Sequence, residues 1–125
     1  MAEMINPRVD LAFKKIFGVE ENKDLLISLI NSIVSAEDQV DQIELLNPYN
    51  ERNYSKDKLS ILDIKARNKA TLTYFLIEMQ LADEMEYHQR SLYSWARVYS
   101  NQLSAGYDYE ALKKTIAIHI LNFTF

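Results

Sequence analysis

The chain has 125 residues, 18 acidic against 14 basic for a net charge of −4, and no Cys. That length holds a single core and one domain, and the missing Cys excludes disulfides, thiolate chemistry and Cys-ligated zinc. The acidic balance argues against a wholly basic nucleic-acid-binding surface. No apolar run approaches the roughly 20 residues that span a bilayer, and Met1 is not followed by a signal-peptide pattern, so the chain is expected to be cytoplasmic with no membrane contact.

Asn6 and Pro7 form a cap and first helical residue, opening a short helix to Phe17. Val9, Phe13, Ile16 and Phe17 are its expected buried stripe. Asp10 and Lys14 lie one turn apart on another side, where an ion pair and a functional role are both open. Asn22 is placed to cap a second helix through Val34, with Leu25, Leu26, Leu29, Ile30 and Ile33 inward. Residues 42–46 read as a first strand, and 47–57 as a polar loop containing Pro48.

Two strands follow, 59–66 (LSILDIKA) and 72–80 (LTYFLIEMQ), separated by the polar stretch 67–71. They are expected to pair as an antiparallel hairpin. Each carries one acid inside an apolar run, Asp63 and Glu78, and carboxylates are rarely buried unless paired or bound to metal. Alternation puts Glu78 and Gln80 on one face, with Asp63 on the neighbouring strand able to share the space. Two acids and an amide so arranged suit a hard divalent cation. Pairing with Lys58, Lys65 or Arg90 on a solvated sheet face is the plainer alternative.

Asp83 and Glu86 have the form of a capping box, and the helix they open runs from Glu84 to Ala105, with Gly106 placed to end it. Met85, Leu92, Trp95, Ala96, Tyr99 and Leu103 are its expected core stripe. Gln89, Tyr93 and Arg97 make one flank polar, with Arg90 beside them. Gln89, Arg90 and Tyr93 are candidates to face the carboxylates and a substrate phosphate, for which the Arg fork is suited. A short helix over 108–113 leads to the strand 115–123, apolar enough to be expected at the centre of the sheet, covered on both faces. His119, in that strand, reads as a core or sheet-face residue, and His88 lies near the candidate flank. Two scattered histidines make no zinc motif. Lys14, Lys15, Lys65, Arg67, Lys69, Arg90 and Arg97 could form a local basic patch.

The run ILDIKA…FLIEMQ followed by HQRSLYSW resembles the PD-(D/E)xK nuclease superfamily, and more narrowly its bacterial recombination-promoting nuclease and putative transposase family. The stretches NPRVDLAFKKIFG at 6–18, NKDLLISLINSIV at 22–34 and TIAIHILNF at 115–123 agree with it. The resemblance implies an α/β fold with a restriction-endonuclease-like core, a mixed sheet of about four strands flanked by helices. It implies a Mg²⁺- or Mn²⁺-dependent DNA endonuclease linked to recombination or transposition. Asp63 would be the central metal-binding aspartate, Glu78 the acid of the E-x-K element and Asp10 an extra acid from the first helix. Gln89 and Tyr93 would match a Gln-x-x-x-Tyr helix motif and support the carboxylates. The Met79 carbonyl would be a further metal ligand, Gln80 would position the water, and Lys14 or Arg90 would steady a phosphate oxygen.

Two departures stand out. Gln80 replaces the lysine of E-x-K, and glutamine can bond a water but supplies no charge. The chain stops at Phe125, where family members continue, so residues 1–125 are expected to be one nuclease-like domain lacking a helical C-terminal part. A catalytically weak or inactive nuclease-fold domain serving protein association is the alternative, and eight Tyr and one Trp would suit an interface. A homodimer, DNA versus RNA as substrate, and one versus two metal ions are left open.

Overall fold

The computed structural model describes residues 9–49, 63–80, 87–103 and 109–121. Helix α1 (Val9–Phe17) and helix α2 (Lys23–Asn31) come first, joined by a 3₁₀ turn at Glu20–Asn22. Strands β1 (Ile43–Leu45), β2 (Ile64–Asn68) and β3 (Tyr74–Gln80) follow, then helix α3 (Tyr87–Ser100) and strand β4 (Thr115–Leu121). The sheet order is β1-β2-β3-β4. β1–β2 and β2–β3 are antiparallel, and β3–β4 is parallel. Parallel neighbours need a long crossover, and α3 lies within it. This is a mixed four-stranded sheet with flanking helices, an α/β architecture consistent with a restriction-endonuclease-like core.

Alternation along the strands divides the two faces. Ile64, Ala66, Phe75 and Ile77 are 0 % exposed and pack with Phe13 of α1 and Leu26 and Ile30 of α2. The other face carries Glu44, Asp63, Lys65, Arg67, Tyr74, Leu76 and Glu78. Helix α3 covers part of it, with Trp95 Nε1 donating to Thr115 O at 2.8 Å. Trp95 stacks on Tyr99 at 5.0 Å between ring centroids.

Several local expectations are corrected. Ile16, Leu25 and Ile33 are 46 %, 44 % and 50 % exposed, because the core takes a narrower stripe from each short helix. Leu11 and Lys14 are buried on α1 instead. Asn22 makes no side-chain capping bond and donates to Ile16 O at 2.9 Å. Helix α2 stops at Asn31, whose side chain exchanges two bonds of 2.8 Å with the Val40 backbone. Helix α3 stops at Ser100, short of Ala105. Gln102 is drawn off to accept from Lys113 N at 2.6 Å and donate to Thr115 Oγ1 at 2.8 Å. Leu92, expected in the core stripe, is 66 % exposed. The expected short helix near 110 is a 3₁₀ turn at Tyr109–Ala111. β4 ends the sheet order and is not central. Among the described residues it pairs with β3 alone, and its apolar character serves Ile116, Ile118 and Ile120, which pack on the core. The capping-box residues Asp83 and Glu86, and Gly106, lie outside the described residues.

The β2–β3 turn contains a strained residue. Leu72 has φ 65°, in the left-handed region that penalises a Cβ by about 1–2 kcal/mol. Asn68 compensates: its Oδ1 accepts from Ala70 N at 2.9 Å, and its carbonyl accepts from Leu72 N at 2.8 Å. Leu72→Gly should relieve the strain while loosening the unfolded chain, for a net gain of about 0.5 kcal/mol. Urea melts would report it as a higher midpoint at unchanged slope. A lower midpoint would mean that the Leu72 side chain contributes more by packing than its backbone costs.

Candidate active site

The β2–β3 register pairs Ile64 with Ile77. The paired ladder ends there, and Asp63, the residue before Ile64, lies in a bend beside it. Its charge acts on Glu78, so the two acids share one space although 14 residues lie between them in the chain. Both side chains are half-buried.

Their electrostatics follow from that placement. Burial pushes the Glu78 carboxyl above its ordinary pKa, and the negative charge of Asp63 pushes it further. A hydrogen bond with Ser94 and the charges of Arg90 and Lys65 pull it back. Burial also raises Asp63, against the opposing pull of Lys65, Lys14 and a bond from Asn47. Asn47 Nδ2 donates to Asp63 Oδ1 at 3.1 Å, and Asn47 Oδ1 accepts from Lys65 N at 2.8 Å. His119, paired with Glu78 by the parallel β3–β4 register, puts Nδ1 3.5 Å from Glu78 Oε1. Burial lowers its pKa below 6.5, so its imidazole is neutral at pH 7.

The other expected site residues are distributed unevenly. Asp10 lies on α1 and Gln80 ends β3, but their side chains lie outside the described residues, as does that of His88. Met79 turns its side chain to the α1–α2 core. Arg90 is exposed on α3, and its charge reaches Glu78. Gln89 is exposed, and Tyr93 is 63 % exposed with the Arg97 guanidinium 5.8 Å over its ring. Neither is among the groups that set the Glu78 pKa. Lys14 is a correction. Expected to reach a phosphate, it is 0 % exposed, and its ammonium donates to Asn47 O at 2.5 Å and Asp63 O at 2.7 Å. Burial lowers its pKa to about 8. Of the other basic candidates, Arg67 is engaged by Glu44 and Tyr74, and Lys15 sits 5.6 Å over the Tyr49 ring.

Asn47, Ser94 and His119 also touch the two acids, and the sequence does not single them out for the site. Ser94 had a usable signal, since it lies one turn after Arg90 on the same helix face. Asn47 had none, because its partner is 16 residues away. His119 depends on the β3–β4 register alone.

Among the described residues, no group of three or more His, Asp or Glu side chains is placed to hold a metal. Two neighbouring carboxylates nevertheless fit a small hard cation, since Mg²⁺ is commonly held by one or two carboxylates and completes its shell with water and substrate phosphate. The raised Glu78 pKa marks a place where added positive charge is favoured. Among the described residues no helix is long and apolar enough to cross a membrane.

No curated protein and no solved structure matches the chain. A family model described as PD-(D/E)XK nuclease family transposase matches residues 7–125, and with the mixed sheet and the neighbouring acids in place, the chain belongs to that family.

Proposed function

We propose that this domain is a metal-dependent DNA endonuclease that hydrolyses phosphodiesters in recombination or transposition. The observation that carries the reading is the proximity of Asp63 and Glu78, both half-buried, with the charge of Asp63 acting on Glu78. Their carboxylates would hold Mg²⁺ or Mn²⁺, with the Met79 carbonyl as a further oxygen ligand. When bound, the cation supplies Lewis acidity toward the phosphate and lowers the pKa of a water.

The chain's own groups do the remaining work. Burial makes both carboxylates stronger partners for positive charge than they would be in water. Ser94 holds the Glu78 carboxylate by a hydrogen bond, and Asn47 does the same for Asp63 Oδ1. Fixed carboxylates lose less freedom when a ligand arrives. Gln80 orients the attacking water by hydrogen bonds, without the charge a lysine would add. Arg90, exposed on α3 beside Glu78, meets a phosphate oxygen of the DNA. Lys65 adds positive charge that acts on both acids.

A second reading is a nuclease-fold domain kept for protein association. It is favoured by Leu92 and Tyr93, 66 % and 63 % exposed side by side on α3. Divalent-metal binding separates the two, because an association module has no need to hold Mg²⁺ between Asp63 and Glu78. Nicking of supercoiled plasmid with Mg²⁺, Mn²⁺ or chelator is the direct test, and absence of metal-dependent nicking counts against the endonuclease.

Arg90 has its own expected outcome. Arg90→Ala should weaken DNA binding and reduce the slope of log K against log salt by about 0.9, the share of one phosphate contact. Fluorescence anisotropy on duplex DNA across a salt series measures it. An unchanged slope would remove Arg90 from the DNA contact surface.

A further inference from the structure

Asp63 occupies a bend one residue before β2, outside the paired ladder that begins at Ile64 and Ile77. Sheet pairing therefore does not hold its backbone, although its carboxylate must meet Glu78 across the strand. Lys14 supplies the missing restraint. A buried charge is costly unless it is hydrogen-bonded, and the Lys14 ammonium donates to Asn47 O and Asp63 O. These carbonyls belong to the segment after β1 and the residue before β2. The Asp63 carbonyl also accepts from Asn47 Nδ2 at 3.2 Å, so both restraints converge on one residue.

The path of the lysine is built in. A Cβ at Gly18 would come 2.8 Å from Lys14 Cδ and 3.2 Å from Cε, so glycine leaves room for the stem. Tyr49 N donates to Gly18 O at 2.7 Å, tying the segment beyond Asn47 to the end of α1. We infer that Lys14 is a positioning residue for Asp63: reaching from α1 past Gly18, it clamps the Asn47 and Asp63 carbonyls and so aims the Asp63 carboxylate at Glu78. The catalytic meaning of that aim rests on the endonuclease reading; the clamp itself does not.

The test uses the full chain in chelator, by hydrogen exchange. In Lys14→Met, the Lys65 amide, bonded to Asn47 Oδ1, should lose protection at least 10-fold relative to the amides of Phe75 and Ile77. Lys14→Cys provides a second variant and a rescue. The chain has no Cys, so alkylation with 2-bromoethylamine in denaturant modifies position 14 alone and restores an ammonium on a side chain of nearly lysine length. After refolding, Lys65 protection should return to within about 3-fold of wild type, while the unalkylated variant stays low. Equal loss at Lys65, Phe75 and Ile77, or no loss at Lys65, overturns the inference, since Lys14 would then merely fill space. In Mn²⁺-dependent nicking, Lys14→Met should lower kcat by about 10–100-fold, the usual effect of losing support for a ligand, with KM for DNA within 2-fold. A raised KM at unchanged kcat would make Lys14 a DNA contact and also overturn it. A wild-type chain that neither binds Mn²⁺ nor nicks DNA would count against the endonuclease reading alone, and the exchange comparison would still decide the role of Lys14.

Discussion

Asp63→Ala is expected to reduce Mg²⁺-dependent nicking of supercoiled DNA by about 10²–10³-fold or more, and Glu78→Ala by a similar factor. Removing one preorganised electrostatic partner from an active site costs about that much, and a carboxylate that holds the cation belongs at the upper end. Both side chains are half-buried and neither is part of the main apolar cluster, so each variant should retain the fold. Gln80→Ala should cost less, since a neutral hydrogen bond to water is worth only about 0.5–1.5 kcal/mol. Rates from a matched preparation of each variant, with circular dichroism as the fold control, make the comparison. Equal nicking by wild type and Asp63→Ala would trace the activity to a contaminant or to another site.

Metal should also appear as stability. A cation that binds only the folded state stabilises it by RT ln(1 + [L]/Kd), which is about 1.4 kcal/mol at ~10 mM Mg²⁺ and a Kd of ~1 mM. For a domain of this size the melting temperature should rise by about 5 °C. Asp63→Asn should abolish the response and melt higher than wild type in chelator, because it removes the repulsion on Glu78.

The pH dependence in chelator has a definite sign. Asp63 and Glu78 are raised above their ordinary 3.8 and 4.5, so the folded state binds their protons more tightly than the unfolded chain does. Their contribution is fully present below the ordinary values and is lost as pH rises through the folded ones. His119, lowered from 6.5, acts in the opposite direction as pH falls below that value. Wild type minus Asp63→Asn removes most of the His119 part. That difference should grow more favourable to wild type as pH falls from 7 toward 5. A difference that is flat with pH, together with no Mg²⁺ response in wild type, would favour the association module.

The hairpin, the helix after it and the four-stranded sheet were legible because local signals carry them. Alternating apolar residues, a polar turn and 3.6-residue spacing are properties of short windows. The acids at 63 and 78 stood out for the same reason, as charges inside apolar runs. Their proximity was half legible, because a short turn limits the register of a hairpin. Lys14 was not legible. On α1 it looks like a surface cation one turn from Asp10, and only its distant partners, 33 and 49 residues on, show it buried. His119 beside Glu78 was hidden likewise, because a parallel pairing across α3 has no local signature. The edge position of β4 escaped because hydrophobicity reports which faces are covered and carries no count of strand neighbours. The main helices and strands, the two acids and the family pattern can be read along the chain, since each is written in contiguous residues. Which cations are spent inside the fold, which residues hold the acids and which strand ends the sheet emerge from packing. Those are contacts between distant segments, and they exist only once the chain has closed on itself.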